Sequence, residues 1–539
     1  MFFGRRGNPA ARRRRRPGVR IHRATVVRSA RAASSGLLSG YAALAVAELA
    51  SAAVRPEAGP VTAVGGAAVD RTPAALKDWA IRHFGADDKL VLRLGILAVL
   101  MLTAVALGLL ALRHRRSASL GVLLLGVVGG AAAVTRPDSG GPADVLPSLV
   151  GALAGAALLS ALSGRPAGAA GAGTGAGPDR RRFLLTAGGA AVAATAAGTL
   201  GRLLNSSRGR DAAASRAAVR LPAPASRAPA VPRGASPRIP GISPFTTPTA
   251  DFYRVDTALV VPAVTTDGWR LRVHGKGVTR PRTYTYADLL GRRLIERDIT
   301  LTCVSNEIGG PYVGTARWLG LPLADLLREA GVRPPSKGGP ADQLVARSVD
   351  GMTLGTPVEA VMDGRDAMLA LGMNGEPLPL AHGFPVRMLV PGLYGYVSGC
   401  KWIEDIELTT FAAYDPYWVR RKWAREAPVK TQARIDTPKP FARPAPGAVM
   451  VAGVAWAQHR GVDRVEVRVD DGPWEPADLA AEATADTWRQ WSYRWQAAPG
   501  GHTLTVRATD RSGTTQTEER TPTIPDGASG RHSVVVSVG

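Results

Sequence analysis

Five apolar runs in the first 204 residues constrain this chain more than any other feature of its sequence. Each is close to the ~20 residues that a helix needs to cross the hydrocarbon core of a bilayer. We therefore expect about five membrane helices over residues 37–204, after a basic cytoplasmic leader at 1–36. For the third and fifth runs, rich in glycine, alanine and threonine, the alternative is a tightly packed soluble helix or a cleaved signal. The runs are Leu37 to Val54, Leu90 to Leu112, Ser119 to Val134, Val145 to Leu162 and Phe183 to Leu204.

The placement of basic residues predicts how this region is oriented. Basic segments occur at Arg12–Arg16, at Arg113–Arg116 and within Arg165–Arg182, and they alternate with less basic segments. Because loops rich in Lys and Arg stay on the cytoplasmic side, these three segments are predicted to lie inside. With five crossings, everything after Leu204 would be extracytoplasmic.

A short segment before the fifth run carries a second indication of export. Asp179-Arg180-Arg181-Arg182-Phe183-Leu184-Leu185 is similar to a twin-arginine export signal, here internal, which serves bacterial proteins exported already folded. The alternative is an ordinary basic flank of a membrane helix. The segment favours a multi-pass protein of a prokaryotic cell membrane.

The net charge of +24 does not indicate nucleic-acid binding. Residues 1–240 hold 33 Lys and Arg against 10 Asp and Glu, whereas residues 241–539 hold 34 against 33. The positive charge thus accompanies the apolar runs, and the rest of the chain shows no basic patch interleaved with aromatic residues. We expect contact with lipid headgroups and no nucleic-acid partner.

The remaining sequence divides into three parts. Residues 205–240 are rich in Pro, Ala, Arg and Ser, which predicts an extended linker with a domain boundary near Pro240. Residues 241–440 alternate strand-like runs with short helical patterns and predict an α+β domain. Residues 441–539 contain repeated two-residue alternation, which predicts an immunoglobulin-like β-sandwich with several tryptophans in its core.

Two groups of residues in the α+β part point to chemistry. Cys303 follows a strand-like run and precedes a polar, glycine-bearing loop, where a thiolate suits a metal or acts as a nucleophile, unless the cysteine is buried and inert. His382, Arg387 and Lys401 surround a glycine-rich turn whose donors suit a phosphate, unless the turn is a solvated surface loop. Only one further cysteine occurs, Cys400, and neither belongs to a Cys-x-x-Cys pair, so the usual zinc, redox and c-type haem motifs do not apply.

Taken together, these motifs resemble the sulfite oxidase family of molybdopterin-dependent oxidoreductases. The resemblance covers about residues 245–539, including the β-sandwich, which is similar to the family's C-terminal dimerisation domain. It rests on the following segments in this order: Cys303-Val304-Ser305-Asn306, Gly314-Thr315-Ala316-Arg317-Trp318-Leu319-Gly320, His382-Gly383-Phe384-Pro385-Val386-Arg387 and Lys401-Trp402.

The resemblance implies a bound molybdenum–molybdopterin cofactor and a role for each of eight residues. Cys303 would be the metal ligand, and His382, Arg387 and Lys401 would hold the pterin and its phosphate. Tyr253 and Arg254 would form the first cofactor-contacting loop. Asn306 and Arg317 would border the cofactor, with Arg317 beside the metal or the substrate.

What the resemblance implies about the reaction stays open. The family transfers an oxygen atom and two electrons between molybdenum and a small substrate such as sulfite, a sulfoxide or an N-oxide. The run Phe252-Tyr253-Arg254-Val255-Asp256-Thr257 lacks the Arg-Asn-His sequence typical of sulfite oxidases, so the direction of transfer is undecided. No histidine lies inside an apolar run, so we expect a separate electron-transfer protein or quinone as partner.

Two other functions compete with this interpretation. In one, the chain is a non-catalytic surface module whose β-sandwich binds a partner. In the other, an electron-transfer or transport function resides in the membrane helices themselves. A homodimer formed through the β-sandwich is expected if the family resemblance extends to assembly.

Overall fold

A computed structural model of the chain describes residues 18–73, 76, 79–80, 83–84, 87–163 and 177–539. The described residues form two compact units, one within residues 18–205 and the other comprising 206–539 with short pieces of 68–88 and 136–138. The Arg12–Arg16 segment and residues 165–176 of the predicted basic loop lie outside the described residues.

Long helices make up the first unit and carry the apolar runs. By length and composition, five of the described helices are long and apolar enough to cross a membrane: Thr25–Ala53, Lys89–Leu110, Arg115–Thr135, Pro142–Leu162 and Arg181–Ala218. These helical segments coincide with the five runs predicted from sequence. The helices are α1 (Gly18–Ala53), α2 (Pro60–Arg71), α3 (Asp88–Leu110), α4 (Arg115–Thr135), α5 (Leu146–Leu162) and α6 (Gly177–Ala218).

Small residues bring these helices close together. A Cβ added at Gly151 of α5 would lie 2.4 Å from the Ala43 carbonyl oxygen of α1. A Cβ at Gly155 would lie 2.8 Å from the Ala43 Cβ. Membrane helices commonly associate through such small-residue contacts, since lipid offers no hydrophobic driving force between them.

The prediction of an extended linker at 205–240 is wrong for its first part. Helix α6 continues to Ala218, because Ala and Arg favour a helix and the first proline after the apolar run is Pro222. Beyond the helix, Val219 and Leu221 pack against the core of the second unit, and Ser226 forms a parallel bridge with Ile295. Residues 206–240 thus belong to the second unit rather than to a free tether.

Two sheets form the α+β part of the second unit, as the sequence predicts. One has the order β2-β1-β10-β5-β6, and the other has the order β3-β4-β7-β8, with β9 paired to β7. The strands are β1 (Arg270–Gly275), β2 (Arg282–Thr285), β3 (Ile295–Thr302), β4 (Val313–Pro322), β5 (Gln343–Ser348), β6 (Thr353–Pro357), β7 (Met368–Met373), β8 (Glu376–Pro377), β9 (Arg387–Leu389) and β10 (Ile403–Thr409). Four short helices complete this part: α7 (Tyr286–Leu290), α8 (Leu323–Glu329), α9 (Val358–Met362) and α10 (Gly395–Ser398).

The C-terminal residues form two antiparallel four-stranded sheets around their own apolar core. Their orders are β11-β12-β16-β15 and β14-β13-β17-β18. Buried residues such as Val465 and Val467 in β13, and Val534 and Val536 in β18, alternate with more exposed ones. The strands are β11 (Gln432–Thr437), β12 (Gly447–Trp456), β13 (Val462–Val469), β14 (Trp474–Pro476), β15 (Asp478–Leu479), β16 (Arg489–Ala497), β17 (Gly500–Asp510) and β18 (His532–Val538).

The tryptophans of this region do not all lie where the sequence predicts. Trp491 and Trp495 belong to the C-terminal core, as expected. Trp456 and Trp488 pack instead in the core of the α+β part. Trp488 is drawn there by polar contacts, since its backbone N donates to Thr300 Oγ1 (2.7 Å) and its Nε1 donates to the Phe245 carbonyl oxygen (2.9 Å).

Candidate functional site

Cys303 lies directly after the last residue of β3, at the start of a loop. Backbone hydrogen bonds from Cys303 to other residues of this loop hold the loop together. Cys303 N donates to the Tyr312 carbonyl oxygen (2.9 Å), and its carbonyl oxygen accepts from Asn306 N (3.1 Å). The Asn306 side chain in turn accepts from Tyr312 N through Oδ1 (2.7 Å). Cys303 is 9% exposed and forms no disulfide, so this loop holds a nearly buried thiol in a fixed place.

Tyr253 lies near enough to this thiol for the charge of a thiolate to affect its pKa. Its ring stacks on Phe252 with centroids 5.2 Å apart and meets Tyr312 edge-on at 6.2 Å. Burial, and next the negative charge of a Cys303 thiolate, raise the pKa of Tyr253 above its usual value, while Arg387 opposes this. The phenol therefore stays protonated at neutral pH and presents a hydrogen-bond donor near Cys303.

His382 and Arg387 lie at the two ends of one tight turn. His382 is 6% exposed and Arg387 is 5% exposed, and Arg387 Nη1 donates to the His382 carbonyl oxygen (3.5 Å). The Arg387 guanidinium also lies over the Trp318 ring, 5.3 Å from its centroid. Burial, followed by the nearby cations Arg387, Lys401 and Arg254, lowers the pKa of His382 to about 3, so its imidazole is neutral at pH 7.

Gly383 explains why this turn can pass so close to Lys401. Its φ is 111°, a conformation that residues with a Cβ rarely adopt. A Cβ at this position would lie 3.0 Å from Lys401 Cα and 3.2 Å from Arg387 Cβ. The glycine therefore brings the His382 turn and Lys401 together.

Lys401 is a buried cation with a buried acidic partner. Its Nζ donates to Asp256 Oδ2 (2.9 Å), and the two side chains are 8% and 7% exposed. Arg254 Nε donates to the same oxygen (2.8 Å) from a more exposed position. Burial lowers the pKa of Lys401 to about 8, and Asp256 opposes this by favouring the charged ammonium.

Several buried polar atoms in this cluster have no hydrogen-bond partner among the described residues. They are His382 Nδ1, Arg387 Nε and Asn306 Nδ2. Buried donors are nearly always satisfied in native proteins, and an unsatisfied group costs ~1–3 kcal/mol. Since these donors and two buried cations occur near one thiol, the residues fit a large anionic group with phosphate oxygens and a metal.

Seven of the eight predicted site residues belong to this neighbourhood, and Arg317 does not. Its guanidinium binds Asp298 on the adjacent strand in a bidentate pair, with Nε to Oδ1 at 2.9 Å and Nη2 to Oδ2 at 2.7 Å. Only Asp298 and Glu296 influence its raised pKa, besides its own burial. The predicted role of Arg317 beside the metal or substrate therefore finds no support in its contacts.

Asp256 is the member of the cluster that the sequence did not indicate. It ends the same Phe-Tyr-Arg-Val-Asp segment that supplies Tyr253 and Arg254. Its ion pair with Arg254, two residues earlier, is local. Its pairing with Lys401, which is 145 positions away, depends on the tertiary structure.

Comparisons with known proteins show which protein family this part of the chain is similar to. The family model described as the oxidoreductase molybdopterin binding domain matches residues 258–418. The match includes Cys303, Asn306, Arg317, His382, Arg387 and Lys401, whereas Tyr253 and Arg254 lie just before it.

Curated relatives match a little under half of the chain. Mitochondrial sulfite oxidase of Rattus norvegicus is 29% identical over 294 residues, which cover 46% of this chain and 53% of the relative. Sulfite oxidase of Gallus gallus is 31% identical over 292 residues, which cover 46% of this chain and 62% of the relative. The chain thus spans little more than half the length of these relatives.

Among solved structures, the sulfane dehydrogenase SoxCD of Paracoccus pantotrophus is similar to this chain. The sequence identity is 25% and the TM-score is 0.44, and the match covers 50% of this chain and 74% of that one.

Proposed function

Because residues 258–418 form a molybdopterin-binding oxidoreductase domain of the sulfite oxidase family, we propose that this chain is a membrane-anchored enzyme of oxygen-atom transfer. Its site would face the outside of a prokaryotic cell membrane. The five apolar helices and the basic segments beside them support the anchoring and the orientation.

One observation carries the proposal: two buried cations and three unsatisfied buried polar atoms lie in the same neighbourhood as a buried thiol. When bound, molybdenum–molybdopterin supplies two-electron oxygen-atom transfer. Cys303 would supply the protein's thiolate ligand to the metal, since a thiolate is a strong donor to such a metal. His382, Arg387, Lys401 and Arg254 would hold the pterin and its phosphate.

The remaining residues of the cluster orient and protect the site. Asp256 holds Lys401 and Arg254 on one carboxylate, which fixes both cations before any anion arrives. Tyr253 remains a protonated donor toward the region of Cys303 because its pKa is raised. Asn306 shapes the loop after Cys303 through Tyr312 N and keeps its Nδ2 available to an acceptor.

The substrate is proposed to be a small oxyanion or oxide, with sulfite oxidation first and reduction of a sulfoxide or N-oxide as the alternative. The alternative is kept because the guanidinium of Arg317 is paired with Asp298, so a role for Arg317 in binding a dianion has no support from its contacts. Electrons would pass to or from a separate electron-transfer protein or a quinone. We also propose an immunoglobulin-like fold for the C-terminal sheets and a homodimer formed through them, which sedimentation of the purified chain as a monomer would contradict.

The test is to measure bound metal and pterin together with turnover. The full chain is produced in cells that make the cofactor, and molybdenum is determined by mass spectrometry while the released, oxidised pterin is determined by fluorescence. We expect about one molybdenum per chain, and activity with either sulfite and an electron acceptor or a sulfoxide and a reduced dye.

Substitution of the two cysteines separates the metal ligand from a merely buried thiol. Cys303→Ser should keep the pterin but lower turnover by at least ~100-fold, since a ligand to the reacting metal is lost. Cys400→Ser, also buried, is the matched control and should keep both. Folded wild-type protein without molybdenum, or an active Cys303→Ser variant, would contradict the proposal.

A further inference from the structure

A group of side chains of the types that bind metals lies on the sheet with the order β2-β1-β10-β5-β6, apart from the residues around Cys303. His274 belongs to β1, and Asp405 and Glu407 belong to β10. One potential ligand atom from each side chain lies within 4.8 Å of the other two. Among the described residues this is the only group of three or more His, Cys, Asp or Glu side chains with this geometry.

The register of the two strands places the group on a rigid backbone. Strands β1 and β10 pair in parallel, with Arg272 opposite Asp405 and His274 opposite Glu407. Because side chains alternate between the faces of a sheet, residues two apart on one strand share a face. The two carboxylates and the imidazole therefore project from the same face of adjacent strands.

The distances already approach those of a coordinated ion. Zinc bonds to imidazole nitrogen and carboxylate oxygen at ~2.0–2.2 Å, so two ligand atoms at a tetrahedral zinc stand about 3.4 Å apart. His274 Nε2 is hydrogen-bonded to Asp405, 3.0 Å from Oδ2 and 3.2 Å from Oδ1, and a bound zinc would replace this hydrogen bond. Only Glu407 has to approach further, and its side chain is half-buried rather than locked in a core.

Charge provides the second reason for a cation here. Asp405 is 9% exposed and has Arg272 as a partner, with Nε to Oδ2 at 2.7 Å, but the Arg272 side chain is itself 62% exposed. Glu407 has no hydrogen bond or ion pair from its side chain in the part of the chain that the structure describes. Two carboxylates on one strand repel one another, and an ion held between them and the imidazole would relieve this repulsion.

We propose that His274, Asp405 and Glu407 bind one divalent transition metal, for which zinc is the best match. One imidazole with two carboxylates is a ligand set that suits zinc, and water would complete the coordination. The metal would join β1 to β10, which begins at Ile403, two residues after Lys401. The proposed role of the metal is to hold these two strands together. It does not depend on the function proposed for Cys303.

Zinc binding to the full-length chain tests the proposal directly. Detergent-purified protein is stripped with a chelator, dialysed against graded concentrations of zinc chloride and analysed for bound zinc by mass spectrometry. At the same concentration of free zinc, we expect the wild type to bind one more zinc ion per chain than either the His274→Ala or the Glu407→Gln variant. Each substitution should weaken this site at least tenfold.

Two further variants distinguish the site from adventitious binding. Arg272→Ala removes the cation that competes for Asp405 and should bind zinc more tightly than the wild type. His502→Ala is the matched control, because His502 pairs with one acid, Asp470, at 2.8 Å without belonging to a group of three. It should bind as much zinc as the wild type.

Folding is checked in each variant by circular dichroism and by thermal unfolding with and without zinc. The wild type should gain thermal stability on adding zinc, as any ligand that binds only the folded state produces. His274→Ala and Glu407→Gln should lose this gain while unfolding at nearly the wild-type temperature without metal. Equal zinc uptake by the wild type and both folded variants would overturn the proposal, as would uptake lost equally in His502→Ala.

Discussion

The buried imidazole of His382 makes the cofactor-free protein sensitive to acid, and His532, whose pKa burial lowers to about 4, adds to this effect. The pKa of His382 is about 3 in the folded chain, against 6.5 in the unfolded one, because of burial and the cations around it. Between these values the unfolded chain binds a proton that the folded chain does not. Stability should therefore fall as the pH falls from 6.5 to 3, by up to about 1.4 kcal/mol per pH unit for His382 alone.

This dependence can be measured by urea unfolding of protein made in cells that lack the cofactor. His382→Gln should flatten the profile across this window. His502→Gln should leave the profile between pH 6.5 and 3 largely unchanged, because hydrogen bonding to Asp470 raises the pKa of His502 and its effect on the pH dependence therefore lies above pH 6.5. An unchanged profile in His382→Gln would show that another group titrates.

Asp256 predicts a second effect at the scale of one residue. Asp256→Asn removes the acidic partner of Lys401 while both side chains remain buried, and an uncompensated buried cation costs about 3 kcal/mol. We expect this loss in urea unfolding of the cofactor-free protein, and a smaller loss once an anionic cofactor is bound.

The control for this effect is Asp526→Asn. Asp526 pairs with Lys430 at 2.9 Å but is 50% exposed, so its loss should cost no more than about 1 kcal/mol. If both substitutions cost the same, the buried pair is no stronger than a surface one.

Most of the candidate site could be predicted from the sequence because its residues lie in short motifs. Cys303, His382, Arg387 and Lys401 each stand beside a strand end or a glycine-rich turn, where local sequence indicates a site. The ion pair that Arg317 forms could not be predicted, because the sequence does not show that Asp298 faces it across two strands. Asp256 was missed for the same reason, since its partner is distant in sequence.

At the scale of elements, the close packing of the turn at Gly383 allows us to predict how a small substitution affects stability and cofactor content. Gly383→Ala adds a Cβ beside Lys401 Cα in a conformation that alanine rarely adopts, and should destabilise the protein by ~2 kcal/mol or more and lower cofactor content. Cofactor content is measured as released pterin per folded chain.

Gly364→Ala provides the comparison, because Gly364 has a similar φ of 105° with no atom within 4 Å of an added Cβ. It carries the backbone strain without the crowding. Similar pterin content in both variants would show that strain alone matters at Gly383.

Strands were predictable where side chains alternate, and the long helix α6 was predictable only in its apolar part. The alternation in β13, β17 and β18 marks each strand to within a few residues. The residues 205–218 were expected to be extended because they bury little apolar surface, yet Ala and Arg continue a helix that has already begun. The helix propensity of these residues determined their conformation, and their hydrophobic pattern did not indicate a helix.

For the molecule as a whole, the contacts of residues 206–240 predict where a soluble fragment should begin. A fragment of 206–539 keeps the bridge from Ser226 to Ile295 and the ion pair from Arg216 to Glu376. A fragment of 241–539 loses both, together with the packing of Val219 and Leu221.

We therefore expect the shorter fragment to unfold at a lower temperature and to yield less soluble protein. Differential scanning fluorimetry of the two fragments measures this difference. Equal unfolding temperatures would mean that residues 206–240 are dispensable, as a free linker would be.

The division of the chain into an apolar first part and a folded second part was visible in the sequence, whereas the packing between parts of the second unit was not. Hydropathy and charge are sums over residues that are neighbours in the sequence, so they can be calculated without knowing the three-dimensional structure. The placement of Trp456 and Trp488 in the α+β core depends on contacts between residues more than a hundred positions apart, such as Trp488 with Phe245.

Strand β3 lies at the edge of its sheet, but other segments cover that edge. Ala225 N donates to the Leu294 carbonyl oxygen just before the strand (2.8 Å), Glu296 N donates to the Ser226 carbonyl oxygen (2.8 Å), and Thr300 N donates to the Asp486 carbonyl oxygen (2.9 Å). An uncovered edge strand is a template for self-association. Because one cover precedes β3 in the chain and the other follows it by almost two hundred residues, a nascent or truncated chain exposes this edge until the C-terminal sheets are made, and that interval is when chaperones would be needed most.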